Sequence, residues 1–310
     1  MKPFAWLVGQ ASRLHGRRQR RRPLATGQAM HRLEPEDYAS SWRRVGMQAL
    51  IRAQARAVPL PDGSVLCRAL GRYPMVVDGR DLGLSARLML DGFWDYAVVA
   101  FLARTLRPGQ VAIDVGANLG LLTVLMADLV GPAGAVAAVE PNPALITLAA
   151  RNLSLNGLAG RATLHQAAAA DRGGEVRWLR LDPTDPKNGH LLPPGAVTGR
   201  GGMLEVEVPT LALDDLVAGA ADVVKIDVEG AEESVWDGMQ GLLDRSPDIL
   251  VLMEVNPARL ADAAGFLHAV AARFLLRELR ADTRVAPVRL EAVLARPGDT
   301  QLVLTRRARV

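Results

Sequence analysis

Residues 111–120 read V-A-I-D-V-G-A-N-L-G. The first five have the apolar character of a buried strand, Val111–Val115. A turn carrying Gly116 and Gly120 follows, and it leads into an apolar helix expected over Leu119–Leu129. Glycine allows the backbone to turn tightly and to approach a ligand closely. In open α/β sheets ligands sit at the carboxyl ends of strands, so a binding site is expected here. A phosphate-cradling P-loop is excluded, because no Gly-Lys-Ser/Thr follows. The dinucleotide spacing G-x-G-x-x-G is also missed: Gly116, Asn118 and Gly120 give G-x-N-x-G, which suits a ligand without a pyrophosphate.

Moving outward, a second strand is expected over Ala135–Val139 and ends at Glu140, just before Pro141. An acid in that place can accept both hydroxyls of a ribose. A glycine turn and a strand-end acid together point to an adenosine-containing ligand. The missing third glycine favours S-adenosylmethionine over NAD.

The same alternation continues to the end of the chain. Helices are expected at Ala144–Leu155, Leu211–Val217, Glu232–Leu243 and from Ala258 to about Phe274. Strands are expected at Ala162–Gln166, Val176–Leu181, Leu204–Val208, Val223–Val228 and Ile249–Glu254, with two more near Leu290–Leu294 and Leu302–Thr305. Apolar strands alternating with helices indicate an α/β domain with a mainly parallel sheet. Upstream, residues 36–57 have helical spacing ended by Pro59 and Pro61. Two short strands, Ser64–Leu70 and Pro74–Val77, precede a helix over Phe93–Leu106 that Pro108 stops. The reading divides the chain into a basic tail and helix (1–58), a lead-in of strands and helix (59–108) and a Rossmann-like domain (109–310).

Composition narrows the function classes. Of 310 residues, 49% are hydrophobic and 23% charged, and mean hydropathy is +0.11, which excludes a wholly disordered chain. No window of about 18 apolar residues offers a membrane span. The single cysteine, Cys67, excludes an intrachain disulfide and a Cys-built zinc site. A cytoplasmic location is expected, since the charges follow the apolar start where a secretory signal would have them before it. Residues 1–58 carry a net +9, leaving −5 on the remainder of a chain that is +4 overall. The basicity thus belongs to the tail, chiefly Arg17 to Arg22. That run admits a weak contact with an anionic surface, but the acidic body argues against a specific nucleic-acid partner.

Several motifs, in order, carry a family resemblance: L-R-P-G at 106–109, A-I-D-V-G-A-N-L-G at 112–120, V-E-P-N-P at 139–143, N-L-S-L-N at 152–156, P-T-L-A-L-D at 209–214 and V-K-I-D-V-E-G-A-E at 224–232. From about Leu90 to Glu254 the chain resembles the FkbM-family S-adenosylmethionine-dependent methyltransferases. The resemblance implies the class I methyltransferase fold: a seven-stranded, mostly parallel sheet with helices on both faces and an antiparallel last strand. It implies that Asp114, Gly116, Asn118 and Gly120 line the methionine and ribose side, and that Glu140, followed by Pro141, takes the ribose hydroxyls. By the same resemblance A-A-A-A-D at 167–171, with Ala168 and Asp171, lies near the adenine. At Trp94-Asp95 the chain departs from the family, which often has an aromatic followed by Glu.

Methyl transfer to a hydroxyl needs positioning and a group that takes the proton, worth about 10²–10⁴-fold. Asp227 and Glu229 follow a buried strand on the expected ligand edge, and Asp227 is the first choice for base or substrate orienter. Glu229 is the second, with helix capping as its alternative. Lys225 lies within the strand and can pair with one of these acids. His190, in the loop K-N-G-H, is a third candidate base, since a neutral imidazole can accept a proton. Glu254 ends the next strand and can line the pocket. Oxygen ligands for a hard cation are present, but no spacing demands one, and no metal is expected. Trp94 and Trp236 read as core. The expected reaction is O-methylation of a hydroxyl on a sugar, a glycolipid or polysaccharide unit, or a secondary metabolite. Nucleic-acid methylation and non-catalytic binding of the methyl donor are the alternatives.

Overall fold

The computed structural model describes residues 32–40, 43–192, 199 and 203–307, and Arg32 onward forms one unit. The basic run Arg17 to Arg22 lies outside the described residues. Helix α1 (Arg44–Gln54) opens the described fold and is preceded by a short 3-10 turn, Pro35–Ala39. A three-stranded antiparallel sheet follows: β1 (Ala57–Pro59), β2 (Ser64–Ala69) and β3 (Tyr73–Asp78), in the order β1-β2-β3. Pro59 therefore sits in an edge strand, where its missing N–H is harmless, and is not the residue that ends the helix. Helices α2 (Leu84–Leu90) and α3 (Tyr96–Thr105) complete the lead-in.

The strand–helix series then runs β4 (Val111–Val115), α4 (Leu121–Leu129), β5 (Ala135–Val139), α5 (Pro143–Leu155), β6 (Ala162–His165) and β7 (Ala168–Ala169). Strands β8 (Val176–Leu181), β9 (His190–Leu191) and β10 (Leu204–Leu211) come next, followed by α6 (Leu213–Leu216) and β11 (Val223–Ile226). The chain closes with α7 (Glu232–Asp237), α8 (Gln240–Arg245), β12 (Leu250–Val255), α9 (Ala263–Arg273), β13 (Leu275–Leu279), β14 (Val285–Pro287), α10 (Leu290–Leu294) and β15 (Thr300–Thr305). Two expectations are corrected. Leu290–Leu294 is a helix, with Val293 as its buried residue, and Gly238 interrupts the single helix expected over Glu232–Leu243. A Cβ at Gly238 would stand 2.0 Å from the carbonyl oxygen of Ala170, so a tertiary contact sets this break.

The main sheet has the order β14-β13-β15-β12-β11-β4-β5-β6. β15 runs antiparallel between β12 and β13, while β6, β5, β4, β11 and β12 are parallel. This is the class I methyltransferase sheet with one strand more than the seven expected, because β14 adds an antiparallel edge. Successive side chains of a strand face opposite sides. Ala112 accordingly enters a core shared with α3, α4, α5 and the lead-in, and Ile113 and Val115 enter a second core under α7, α8 and α9. The lead-in is tied to α5 by Asn152, a fully buried residue. Its Oδ1 accepts from Val76 N at 2.6 Å, and its Nδ2 donates to Val76 O and Leu119 O at 3.1 and 2.9 Å. Trp236 packs edge-on against Phe266 and Phe274 in the second core, as expected. A smaller sheet, β7-β10-β8-β9, carries its own apolar cluster of Ala168, Leu179, Leu181 and Val208. Among the described residues no helix is long and apolar enough to cross a membrane.

Candidate active site

The chain passes β4, β5 and β6 outward in one direction and then returns to build β11 and β12 on the other side of β4. Crevices at such reversals are where α/β sheets bind ligands. A cavity of about 480 Å³ lies there, at the carboxyl ends of β4, β5, β11 and β12.

One half of its wall comes from the first two strands. Gly116, Ala117 and Asn118 follow β4, and Glu140, Pro141 and Asn142 follow β5. Glu140 is buried, and each carboxylate oxygen accepts one backbone N–H: Oε2 from Asn118 at 2.8 Å and Oε1 from Asn142 at 2.9 Å. Burial pushes its carboxyl up to about 7, against the pull of those two N–H groups and of Lys225. Leu145, Ala168 and Ala169 add an apolar side.

The glycines of the turn serve the protein's own packing. Gly116 has φ +76°, and a Cβ there would stand 1.9 Å from the carbonyl oxygen of Asp227. Gly120, at φ +86°, would bring a Cβ to 3.0 Å from Ala149 on α5. Gly120 does not line the cavity; it lets α4 and α5 approach. Asp114 is also absent from the wall. It lies fully buried beneath the turn, opposite Lys225 in the β4–β11 register. Its Oδ2 accepts from Thr123 Oγ1 at 2.7 Å, while Oδ1 has Lys225 Nζ at 3.4 Å. Burial raises the Asp114 carboxyl, and Lys225 opposes this. Lys225 Nζ also donates to the carbonyls of Val115 and Gly116, at 3.2 and 2.7 Å, and sits 3.6 Å from Asp227 Oδ2. Burial pulls the ammonium down, but Asp227 and Asp114 outweigh it and the Lys225 pKa is raised. Lys225 thus locks the turn to the end of β11.

The other half of the wall is acidic. Asp227, Glu229 and Glu254 each place an oxygen within 4.8 Å of the others. Glu229 is ion-paired to Arg259, and burial with the nearby Asp227 raises its pKa. Glu254 is half-buried and receives a hydrogen bond from Gln301 Nε2 at 2.5 Å. Burial, and then the charges of Asp227, Asp299, Glu229 and Asp95, push its carboxyl up to about 8.

Sequence reasoning missed part of this wall. Trp94, read as core, is 39% exposed at the cavity, with Lys187 Nζ 5.7 Å from its ring centroid. Asp95 beside it caps α3 from a left-handed backbone, φ +40°. Among the described residues five non-glycines have positive φ, and three of them, Asp95, Asn118 and Glu229, line the cavity. Strain of this kind concentrates at functional sites. The Trp94-Asp95 pair was the one signal in the sequence; Arg259 and Asp299 gave none.

Two further expected site residues lie elsewhere. Asp171 is held by Ser234 and Arg172 away from the wall, although Ala168 lines it. His190 is exposed on β9, while its neighbours Gly189 and Leu191 face the cavity, as strand alternation requires.

Comparison with known proteins now decides the family. The family model described as the methyltransferase FkbM domain matches residues 114–281. The chain belongs to the FkbM methyltransferase family. It is 31% identical over 163 residues to 31-O-demethyl-FK506 methyltransferase FkbM of Streptomyces tacrolimicus, covering 44% of this chain and 61% of that protein. The chain thus spans less than two thirds of that relative's length. Among solved structures, this FkbM-family chain is similar to methyltransferase FkbM from Methylobacillus flagellatus, with 15% identity, 72% and 55% of the two chains covered and a TM-score of 0.40. It is also similar to precorrin-6y C5,15-methyltransferase from Geobacter metallireducens, with 16% identity, 69% and 88% covered and a TM-score of 0.39.

Proposed function

We propose that this methyltransferase uses S-adenosylmethionine to O-methylate a hydroxyl on a sugar, a glycolipid or polysaccharide unit, or a secondary metabolite. The observation that carries the donor assignment is Glu140. Its two oxygens each accept a single backbone N–H, so each keeps a lone pair for a hydroxyl of a ribose. The apolar side formed by Pro141, Leu145, Ala168 and Ala169 fits an adenine, and Gly116 to Asn118 would border the methionine part. The bound donor supplies an activated methyl group. The chain's task is to hold an acceptor in line, exclude water and receive a proton.

The acidic half suits that task, with Asp227 and Glu229 as the residues that orient the acceptor hydroxyl. O-methylation is also what the name of the Streptomyces relative states for that protein. Trp94, partly exposed in the cavity lining, would offer a flat apolar face to a ring-shaped acceptor.

The test has two stages. Calorimetry with S-adenosylhomocysteine should show one site per chain. Incubation with labelled donor and an extract of host glycans and metabolites should then yield a labelled ether. Absence of any donor binding would refute the assignment, and label found only in nucleic acid would replace the acceptor class.

A further inference from the structure

Six charged groups surround one carboxylate in the cavity, and their pairing is unequal. Asp227 stands 3.6 Å from the ammonium of Lys225. Glu229 is ion-paired to Arg259, and Asp299 lies 3.4 Å from the same guanidinium. Asp95 accepts the N–H of Val98 as the cap of α3. Glu254, at the end of β12, has no ion pair among the described residues. Among the described residues its sole hydrogen bond is from Gln301, its partner in the β12–β15 register, to Oε2, and none reaches Oε1. A cation bound to a carboxylate lowers its basicity, whereas crowding by other carboxylates raises it. The geometry therefore separates the roles: Asp227 and Glu229 each lie against a cation, and Glu254 keeps a fixed position with one oxygen unclaimed.

We propose that Glu254 is the proton acceptor in methyl transfer, a role that rests on the O-methylation reading above. The acceptor oxygen forms a bond to the methyl carbon as the carbon–sulfur bond breaks. The bonding pair stays on sulfur, giving the neutral thioether, and the hydroxyl proton passes to Oε1 of Glu254. Gln301 is a positioning residue that fixes the carboxyl through Oε2. A base whose pKa lies near the working pH is the most effective kind, and the raised Glu254 carboxyl meets that condition. The groups facing it are Asp227, Glu229, Asp299 and Asp95, which raise it, with Lys225 nearby on β11. Because the carboxylate is the active form, kcat/KM should climb with pH and level off above about 8.

The experiment compares the wild-type chain with Glu254→Gln and Gln301→Met. In ligand-free protein labelled with ¹³C at glutamate carboxyls, several resonances, Glu140 among them, should titrate above the ordinary range; the highest should be that of Glu254, and Glu254→Gln should remove it. With an acceptor in hand, Glu254→Gln should lower kcat about 10²-fold or more and abolish the rise with pH, while the affinity for S-adenosylhomocysteine stays within about twofold. Turnover within about threefold of wild type, or a pH rise that survives the substitution, overturns the proposal. If Glu254→Gln does not fold, Gln301→Met serves instead: a lower kcat with a displaced pH rise supports the role, and an unmoved one overturns it. Failure of the wild type to bind S-adenosylhomocysteine would sink the methyltransferase reading itself and is seen separately from these outcomes.

Discussion

Replacing Glu140 by glutamine tests the donor site most directly, because the structure gives both the sign and the size of the effect. Glu140 is 6% exposed and accepts N–H groups from Asn118 and Asn142. Burial moves its carboxyl from an ordinary 4.5 to about 7. The folded chain therefore holds this proton to higher pH than the unfolded chain does. The stabilising contribution is fully present below about 4.5 and is lost as pH rises through about 7, a change of about 3 kcal/mol over that window. Hydroxyls that donate to the carboxylate favour its charged form. Donor binding should then expel a proton below pH 7, and affinity should rise with pH by up to about tenfold per unit before levelling off. Glutamine keeps one acceptor oxygen and turns the other into a donor that faces a backbone N–H. One charge-assisted hydrogen bond is lost, worth about 1.5–3 kcal/mol, so affinity should fall about 10- to 150-fold. The dependence on pH should vanish with it. Titration calorimetry with S-adenosylhomocysteine at pH 6, 7 and 8, in buffers of different ionisation enthalpy, reads both effects. A wild-type affinity that stays flat over this range, or a glutamine variant that binds like wild type, would refute the assignment of Glu140 to the ribose.

Three other substitutions separate the turn's architecture from its chemistry. Gly116→Ala should cost about 2–5 kcal/mol in chemical unfolding, because a Cβ would lie 1.9 Å from Asp227 O at φ +76°. Gly109→Ala, at φ +88° with nothing within 4 Å, should cost only about 1–2 kcal/mol; equal losses would show that the contact with Asp227 is unimportant. Lys225→Met should destabilise by about 3–5 kcal/mol, since it leaves Asp114 buried without its cation. Near-wild-type stability in urea would mean that Asp114 is already neutral in the folded chain.

How far the sequence reveals this fold and its candidate site depends on whether the relevant contacts are local. Strands buried on both faces read as apolar runs, so Val111–Val115 and Ala135–Val139 end where the structure ends them. Gly116, Asn118 and Glu140 were legible for the same reason, because each follows its strand directly. Leu290–Leu294 was not: five apolar-rich residues are too few to separate a period of 2 from one of 3.6. The acidic half of the cavity was half legible. Asp227 and Glu229 follow a recognisable strand, and Lys225, the cation beside Asp227, lies two residues upstream; the other partners come from remote segments, Arg259 from beyond β12 for Glu229 and Gln301 from β15 for Glu254. Trp94 reaches the wall through the lead-in, which docks on the β8–β9 segment where Leu82 N donates to Thr184 O at 3.0 Å. Spacing cannot forecast such meetings. The left-handed backbone at Glu229, φ +54°, is a further case, since neither its residue type nor its neighbours mark a position that asparagine or glycine would fill more easily. A glutamate kept there, between Asp227 and Gly230 and paired to Arg259, is held by its side chain's surroundings against its backbone preference. That conflict of local and tertiary demands is the pattern expected of a residue that serves the proposed site, and it supports the acceptor-orienting role proposed for Glu229.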